Sequence, residues 1–458
     1  MERPKKKHSK QGKIIFERAL TLHKKNQLNE AISAYAIAIN NSYKSSEAYN
    51  NMGVALKSTG AFQAAVVSYK HSIALSPKNA GTHSNLGNAL RALGRYQEAE
   101  TSHRQALEID SKYVDARYNL GLVLNDQGKC KEGIKLLCEV IQEKPNYANA
   151  HWDLALALLL IGDLKRGFQQ YEWRWRLKSN PPRKFNKPLW DGTPAKGNTI
   201  LIHAEQGFGD SIQFVRYVPQ VAKKGAEVIL ECQSSLIPLF KTLPGIKNII
   251  DKTDTKKLPS FDLHAPLLSL PRIFRTDLTS IPSPKGYLVP SQSHNSKFIN
   301  NIDIDRLNIG LAWAGKSSHR NDRNRSVALE LFMKLLEMPE IQYHSLQIGD
   351  RANDIERLGC AGLIKDHSSK IIDFSDTADL ISHLDLVITV DTVICHLAGA
   401  LNIPCWVVVP YAPDWRWLMK EERSPWYESL RLFRQPRFGD WESVFSSVYE
   451  TLKTQVTK

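Results

Sequence analysis

The chain has 458 residues, of which 42% are hydrophobic and 24% charged, so it is long enough for about three domains with separate cores. Its formal net charge is +14, but residues 1–28 carry nine Lys or Arg against two glutamates, so half of the excess lies at one end. A basic N-terminal tail of this kind, with Lys5, Lys6 and Lys7, is more typical of a solvated terminus than of a nucleic-acid site. We therefore predict no nucleic-acid partner, and peripheral contact with a membrane stays open.

The cysteines and the longest apolar stretch bear on the compartment. The six cysteines form no CxxC pair and no zinc-ligand spacing with histidine, so neither a metal site nor a disulfide framework is indicated. The longest strongly apolar stretch, 154–161, is far shorter than the roughly 20 residues of a membrane-spanning helix. Residues 1–13 are charged and lead into no apolar signal segment. A cytoplasmic protein without a transmembrane segment is expected.

A period of 34 residues organises the first third of the chain. The residues that coincide at this offset share small or aromatic character: Gly53, Gly87 and Gly121; Ala31, Ala65 and Ala99; Tyr35, Tyr69 and His103. Such a period indicates stacked helix pairs and resembles the tetratricopeptide repeat (TPR), with five units starting near residues 12, 46, 80, 114 and 148. The fourth and fifth units depart from the pattern, with Gly133 and Gly167 where alanine is expected.

An array of this kind buries one face of each helix and curves the other into a groove. We predict a TPR α-solenoid over residues 1–179, and its groove suits a peptide or another protein as partner. The alternative is that the array only caps or dimerises the domain that follows.

Helix-breaking residues end the helical pattern after the aromatic and basic segment 171–177. Residues 180–197 hold Pro181, Pro182, Pro188 and Pro194 and are predicted to be a linker. From residue 198 onward, short apolar strands alternate with helices. The predicted strands are 199–203, 227–231, 308–313, 343–348, 386–390 and 405–409.

This alternation is typical of parallel α/β construction. A Pro-, Ser- and Asn-rich break at 281–305 divides the region, and we predict two Rossmann-like lobes over 198–300 and 301–458. Ligands of such lobes bind at the carboxyl ends of the strands.

The first candidate site is the turn that follows the strand at 199–203. Gly207 and Gly209 let the backbone approach a ligand closely, although the turn lacks the GxGxxG fingerprint of dinucleotide-binding proteins. Asp210 and, in reserve, Glu205 are the candidate general bases for a hydroxyl proton. The alternative is that Asp210 only caps the following helix.

The second candidate site is the loop after the strand at 308–313. Five cationic or titratable residues gather there: Lys316, His319, Arg320, Arg323 and Arg325. At the end of a strand, this cluster is suited to neutralising phosphate, with Arg325 as the first choice. The alternative is a solvated loop.

The third candidate site is the segment 384–401, in which a buried strand delivers Asp391 and Thr392 directly to a helix. The unpaired N–H groups of a helix N-terminus suit a diphosphate, although Asp391 or Thr392 can equally be an ordinary N-cap. His396 is either a core residue or a donor contact. Cys395 is read as core, because adjacent helix positions point about 100° apart and do not form a catalytic dyad.

These motifs in this order resemble a known family. EQGFGD (205–210), the loop 313–326, DFSDTADL (373–380), the strand-to-helix segment 384–401 and PYAPDWRWL (410–418) look like bacterial TPR proteins with a family 9-type, heptosyltransferase-like glycosyltransferase domain. The resemblance spans nearly the whole chain. It implies a GT-B fold of two Rossmann-like lobes, with a nucleotide sugar in the C-terminal lobe.

On this resemblance Asp210 is the base, Arg325 a phosphate contact, and Asp391, Thr392 and His396 line the donor site, with Thr377 near the nucleoside. Val393 and Ile394 depart from the glycine-proline that often follows in heptosyltransferases, which places the heptose donor in doubt. The resemblance implies no metal and no cofactor beyond the sugar donor, so we treat the DxD at 303–305 as coincidental.

The sequence therefore predicts a glycosyltransferase that moves a sugar from a nucleotide sugar to a hydroxyl, with inversion. Fusion of repeats to such a domain is also similar to the protein O-GlcNAc transferases, so the acceptor is a protein or a glycan by analogy. The rival prediction is a TPR scaffold with a catalytically degenerate domain. A sugar-nucleotide epimerase is a third.

Overall fold

The structure is a computed structural model that describes residues 3–456, except 42, 44, 255–257, 283, 284, 291–295 and 320, with side chains from residue 10 onward. The chain divides into two units, Met1–Ala157 and Leu158–Lys458. Among the described residues, no helix is long and apolar enough to cross a membrane. All six cysteines are free thiols.

Antiparallel helix pairs repeat along the N-terminal part of the chain. The helices are α1 (Arg3–Lys24), α2 (Leu28–Asn40), α3 (Ser46–Ser58), α4 (Phe62–Leu75), α5 (Ala80–Ala92), α6 (Tyr96–Ile109), α7 (Val114–Asp126), α8 (Cys130–Glu143), α9 (Ala148–Leu160) and α10 (Leu164–Tyr171). Four pairs begin at the predicted residues 46, 80, 114 and 148. The predicted basic tail is helical from Arg3, earlier than expected, and the side chains of its lysines at 5–7 lie outside the described ones.

Glycines in the first helix of a pair allow a bulky ring to approach from the second helix. A Cβ on Gly53 would lie 2.6 Å from Cε1 of Tyr69, and a Cβ on Gly87 would lie 2.5 Å from Nε2 of His103. Both rings are fully buried. The 34-residue spacing of small and aromatic residues therefore reflects one contact between paired helices, which is repeated along the array.

The turn inside each pair also repeats every 34 residues. Gly60, Gly94, Gly128 and Gly162 have φ between +72° and +84°, and Asn26 occupies the corresponding place with φ +59°. Glycine reaches this left-handed region without penalty, and asparagine tolerates it better than most residues. All five pairs therefore share one turn.

Two parallel sheets form the second unit. The strands are β1 (Thr199–His203), β2 (Glu227–Cys232), β3 (Ile246–Asp251), β4 (Leu263–Pro266), β5 (Leu307–Ala312), β6 (Ile341–Ser345), β7 (Ile364–Asp366), β8 (Leu386–Val390), β9 (Cys405–Val409) and β10 (Leu430–Arg434). The first sheet has the order β3-β2-β1-β4 and the second has the order β10-β9-β8-β5-β6-β7. Every pairing between these strands is parallel.

The sequence located the six central strands but missed four others. β3 is largely half-exposed, β4 has four residues and ends in proline, and β7 has three residues. β10 alternates arginine with buried apolar residues at the sheet edge. Short and peripheral strands bury too little apolar surface to leave a strong pattern.

Shorter helices connect these strands. They are α11 (Phe208–Phe214), α12 (Val218–Lys223), α13 (Ile237–Phe240), α14 (Leu270–Ile273), α15 (Asp322–Arg325), α16 (Asp354–Arg357), α17 (Phe374–Ser382), α18 (Val393–Ala400) and α19 (Trp441–Val456). The helix predicted at 211–223 is divided between α11, a 3-10 turn and α12, because Pro219 starts a new helix. Two further 3-10 turns, Glu172–Arg176 and Trp415–Trp417, matter for the site below.

The predicted boundaries can be compared with the division between the two units. The array was predicted to extend to residue 179, and its fifth helix pair, α9 and α10, crosses that division at residue 157. Residues 180–197 were expected to be a linker, yet they pack along the edge strand β4. Trp190 is buried, and its backbone N–H donates to the carbonyl of His264 at 2.8 Å, while the backbone N–H of His264 donates to Pro188 at 3.1 Å. Proline-rich sequence here marks extended backbone at a sheet edge.

Candidate functional site

The junction between β8 and α18 has the geometry that the sequence predicted. All five residues of β8 are buried. Thr392 has an extended backbone and is the N-cap, with its Oγ1 accepting from the N–H of Ile394 at 3.3 Å. The capping alternative thus holds for Thr392. One N–H of the helix terminus is satisfied by this cap, and a ligand would have to use the others.

Arg325 lies at this junction, as predicted from its place after β5. Its Nη1 donates to the carbonyl of Asp391 at 3.1 Å. Its Nε lies 3.8 Å from the carboxylate of Asp322, too far for a hydrogen bond, and has no acceptor among the described residues. A Cβ on Gly315 would lie 2.6 Å from Nη2 of Arg325. Gly315 therefore leaves the space that the guanidinium occupies.

The Asp391 carboxyl lies in a mixed electrostatic environment. Burial and the carboxylate of Asp414 raise the pKa of Asp391 to about 6, while the guanidinium of Arg325 opposes the shift. A carboxyl with such a pKa changes charge near neutral pH. This is a departure that often occurs at functional sites.

Asp210 is held between its own helix and the second sheet. One carboxylate oxygen accepts from the N–H of Gly207 at 3.0 Å. The other accepts from Nη2 of Arg416. Burial raises the pKa of the Asp210 carboxyl above its ordinary value, although Arg416 opposes this. Asp210 therefore caps α11 and pairs with Arg416 at the same time.

Arg416 joins elements that are distant in sequence. It belongs to the 3-10 turn Trp415–Trp417, stacks over Trp415 at 4.4 Å and donates from Nη1 to Asp414 at 2.9 Å. Its Nε donates to Oε1 of the fully buried Gln213 in α11. Arg416 was not among the predicted site residues, although it lies in the PYAPDWRWL motif at 410–418.

His396 brings α18 into contact with the glycine turn. A Cβ on Gly209 would lie 2.8 Å from Cδ2 of His396, so glycine is needed for this approach. The ring stacks on Trp417 at 5.6 Å, and its Nδ1 shares a hydrogen bond with the Tyr427 hydroxyl at 3.0 Å. Burial lowers the pKa of His396 well below its ordinary value, so the ring is neutral at neutral pH.

The remaining cationic candidates are at the surface. Lys316, His319 and Arg323 are exposed, and Arg320 lies outside the described residues. The Nδ1 of His319 accepts from the N–H of Asn321 at 3.2 Å. Partial burial of the ring and the guanidinium of Arg325 lower the pKa of His319, and the carboxylates of Asp414 and Asp210 oppose this, so His319 faces the same cluster.

Thr377 and Glu205 have structural partners. The hydroxyl of the buried Thr377 donates to the carbonyl of Asp373 at 3.2 Å inside α17. Both carboxylate oxygens of Glu205 accept from Arg174, each at 2.9 Å, and the Glu205 side chain is only 5% exposed. Glu205 is thus engaged in a buried bidentate ion pair and is not presented as a free base.

Asp391, Cys395 and His396 place ligand atoms within 4.8 Å of one another. The Cys395 thiol donates to the carbonyl of Thr392 at 2.8 Å, and burial raises its pKa well above the ordinary value. The guanidinium groups around His396 that lower its pKa would also repel a cation. The positive charge of these guanidinium groups therefore disfavours a cation here, and the absence of a metal stays a prediction.

Comparisons with known proteins identify the repeats. Family profiles described as tetratricopeptide repeat match residues 46–79 and 68–101, and one described as TPR repeat matches 87–128. Among solved structures, the thermophilic TPR protein TTC0263 from Thermus thermophilus is 17% identical with a TM-score of 0.33, covering 37% of this chain and 93% of that chain. YrrB, described as a TPR protein with an unusual peptide-binding site, is 17% identical with a TM-score of 0.32, covering 36% and 86%.

One curated relative extends beyond the array. Protein FlbA of Caulobacter vibrioides is 24% identical over 321 residues, which cover 64% of this chain and 53% of FlbA. The chain thus spans about half the length of this relative. Because the alignment is longer than the first unit, it includes part of the second. Within the array predicted from the 34-residue period, the family profiles confirm tetratricopeptide repeats over residues 46–128.

Proposed function

We propose that the second unit is a GT-B glycosyltransferase that transfers a sugar from a nucleotide-sugar donor to a hydroxyl of a protein or glycan, with inversion and without a metal ion. One observation carries this proposal. Asp210, Arg325 and Asp391 follow the carboxyl ends of β1, β5 and β8, and Arg416 and His396 connect the two sheets at that place. Ligands of parallel α/β sheets bind at such ends.

In the proposed reaction Asp210 is the general base. The acceptor oxygen attacks the anomeric carbon, its proton passes to an Asp210 oxygen, and the bond to the diphosphate breaks with its electron pair remaining on the diphosphate. Each carboxylate oxygen has two lone pairs, so the bonds from Gly207 and Arg416 leave acceptor capacity for this proton. A raised pKa suits a base that works near neutral pH.

In this proposal, residues that follow strands of the second sheet bind the diphosphate leaving group. Arg325 and the uncapped N–H groups of α18 offset the negative charge that grows on the diphosphate. The Nε of Arg325, which makes no hydrogen bond to a described residue, supports this role, because a guanidinium with an unused donor can still bind a phosphate oxygen. Lys316 and Arg323 add positive charge at the edge of the site, where the exposed His319 also lies.

The array is proposed to bind a protein or peptide. Stacked TPR units form a groove of this kind, and such a groove normally receives an extended or helical segment. Whether that segment is the acceptor or a separate partner decides between protein and glycan glycosylation.

The first test compares donor consumption by the full-length chain and by Asp210→Asn across a panel of nucleoside diphosphate sugars, without added metal. Slow hydrolysis with water as acceptor releases nucleoside diphosphate, so no acceptor needs to be known. We expect Asp210→Asn to lower turnover by about 100-fold or more and to keep the rise in melting temperature that the donor causes. The matched control is Asp305→Asn, an exposed carboxylate in the DxD triplet, which should retain turnover.

The rival scaffold function is favoured by one observation, the use of both Asp210 oxygens as a cap and an ion-pair partner. A scaffold would release no nucleoside diphosphate with any donor, and Asp210→Asn would change only the melting temperature. An epimerase would convert donor without releasing diphosphate. Either result would overturn the proposed transfer.

A further inference from the structure

Two turns of the second unit share a sequence pattern and one hydrogen bond. In Glu172–Arg176 and at Trp415–Trp417, an acidic residue leads directly into Trp-Arg-Trp. In each turn the arginine donates from Nη1 to the acidic residue two positions before it, Arg174 to Glu172 at 2.8 Å and Arg416 to Asp414 at 2.9 Å. Each guanidinium also stacks on a neighbouring indole with its carbon 4.4 Å from the ring centroid.

Both arginines reach the same loop. Arg174 forms the bidentate ion pair with Glu205 at the start of EQGFGD, and Arg416 binds Asp210 at its end. The 205–210 loop, which includes the first turn of α11, is therefore held at both ends by buried guanidinium groups. A guanidinium stacked on an indole and bound to two carboxylates has little freedom to move.

Arg174 lies in the segment that ends the fifth repeat, and a further hydrogen bond holds its guanidinium in place. Its Nη2 also donates to the Ser269 hydroxyl at 2.8 Å, and that hydroxyl donates to Glu172 at 2.9 Å. The Tyr171 hydroxyl donates to Oε1 of Gln206 at 3.4 Å, so a second residue of the loop contacts the same segment. With a side chain only 1% exposed, Arg174 has no solvent to replace these partners.

The helix before this turn contacts the other side of the site. Phe168 in α10 packs edge-on against Phe214 of α11 and Trp415 of the second turn, with ring centroids 6.3 Å and 5.7 Å apart. The last helix of the repeats therefore supports the helix that carries Asp210 and the turn that carries Arg416.

We propose that Arg174 is a positioning residue of the transferase, which fixes the orientation of Asp210 by clamping Glu205 in the same loop from the end of the last repeat. This inference rests on the proposed function of Asp210 as base. Arg174 has no part in donor binding, because the proposed phosphate contacts lie on the second sheet. Loosening the loop therefore lowers kcat and leaves the KM for the donor unchanged.

The test uses the full chain with Arg174→Lys, Tyr171→Phe and the double variant Arg174→Gln with Glu205→Gln. If a single change fails to fold, the double variant removes the charges of Arg174 and Glu205 together, so that Glu205 is not left as a buried, unpaired carboxylate. Arg166→Gln is the matched control, since Arg166 lies in α10 and its ion pair with Asp163 is exposed. The readouts are kcat, KM for the donor, the pH profile and amide hydrogen exchange of residues 204–210.

For Arg174→Lys and the double variant we expect kcat to fall by about 10- to 100-fold, with the KM for the donor within twofold of the parent. The acidic limb of the pH profile moves, and amides of 204–210 exchange faster. Tyr171→Phe shows the same changes more weakly, and Arg166→Gln shows none. A lower melting temperature with unchanged kcat per folded molecule and an unmoved pH profile would overturn the inference.

Failure of the inference can be told from failure of the proposed function. If the parent chain turns over and only Asp210→Asn abolishes turnover, Arg174 has no positioning role. If the parent chain releases no nucleoside diphosphate, the transferase fails, and Arg174 then has no reaction to serve. In that case faster exchange at 204–210 identifies a purely structural clamp.

Discussion

The two units differ in how far apart in the sequence their contacting residues lie. In the array, ordered polar contacts join neighbouring repeats, as Arg91 does with Asp126, 35 residues away. In the second unit, Arg416 binds Asp210 across 206 residues and Arg216 binds the carbonyl of Trp426 across 210. A change in the array should therefore act locally, whereas a change in the second unit should be felt by both sheets.

Arg216→Gln should produce the largest loss of stability, and this loss should be confined to the second unit. An equal loss in the array would contradict the difference between the two units. Arg216 is buried and stacks on Tyr287 and Tyr427, each 4.6 Å from its guanidinium carbon. It donates to the carbonyls of Gln213 and Trp426 at 2.8 Å each. The variant leaves these acceptors buried and unpaired, at about 1–3 kcal/mol each, so we expect a loss of about 3 kcal/mol or more.

Hydrogen exchange measures this loss region by region. Exchange should accelerate in both sheets of the second unit, whereas α3 to α8 should keep their protection. Arg437→Gln, which removes a surface arginine that is 84% exposed, is the control and should change neither region. Equal loss of protection in the array would show that the chain unfolds as one cooperative body.

Asp391→Asn should change the stability of the second unit by an amount that depends on pH. The folded-state pKa of Asp391 is about 6, above the ordinary value of 3.8. The folded protein thus holds this proton more tightly than the unfolded chain, and the stability so gained is lost as pH rises from about 4 through 6. Asparagine stays neutral, so the variant should gain stability relative to the parent as pH rises.

The relative gain should reach up to about 3 kcal/mol at pH 8, because each pKa unit corresponds to about 1.4 kcal/mol. Urea unfolding of both proteins at pH 4, 6 and 8 measures it. The same substitution should weaken donor binding if Asp391 contacts the sugar. A stability difference that is constant across this pH range would contradict the burial of an ionisable carboxyl at the site.

The array could be predicted from the sequence more completely than the second unit. The repeats could be predicted because small residues and the larger side chains that face them recur every 34 residues, as Gly53 with Tyr69 and Gly87 with His103 do. Four helix pairs begin where the period places them. The buried strands β8 and β9 also begin and end at the predicted residues, because continuous apolar runs bounded by polar residues mark buried parallel strands.

The site could be predicted only in part. The glycine turn and the Asp391 junction lie at strand ends, where pattern and topology agree. The pairing of Arg416 with Asp210 and of Arg174 with Glu205 follows from tertiary packing and leaves no period. The one signal in the sequence was the recurrence of an acidic residue before Trp-Arg-Trp at 172–175 and 414–417. Such a repeat shows related geometry but not which carboxylate each arginine reaches.

Gly87→Ala should give the smallest change in stability among these variants. The sign of that change should depend on the facing ring of His103. A Cβ there would lie 2.5 Å from Nε2 of His103, whose ring is fully buried, so overpacking should cost about 1–3 kcal/mol. Alanine itself favours the helix by about 1 kcal/mol over glycine. We expect a net loss of up to about 2 kcal/mol in the parent chain.

In a His103→Ala background the ring is gone, so the same Gly87→Ala change should instead stabilise by about 1 kcal/mol. Urea unfolding of the four proteins in this cycle measures the reversal, and hydrogen exchange should change only in α5, α6 and their immediate neighbours. Gly53→Ala with Tyr69→Ala should repeat it one unit earlier, where the Cβ would lie 2.6 Å from the ring. If Gly87→Ala destabilised both backgrounds equally, glycine would be required by the backbone, and the 34-residue pattern would not report a contact with the facing ring.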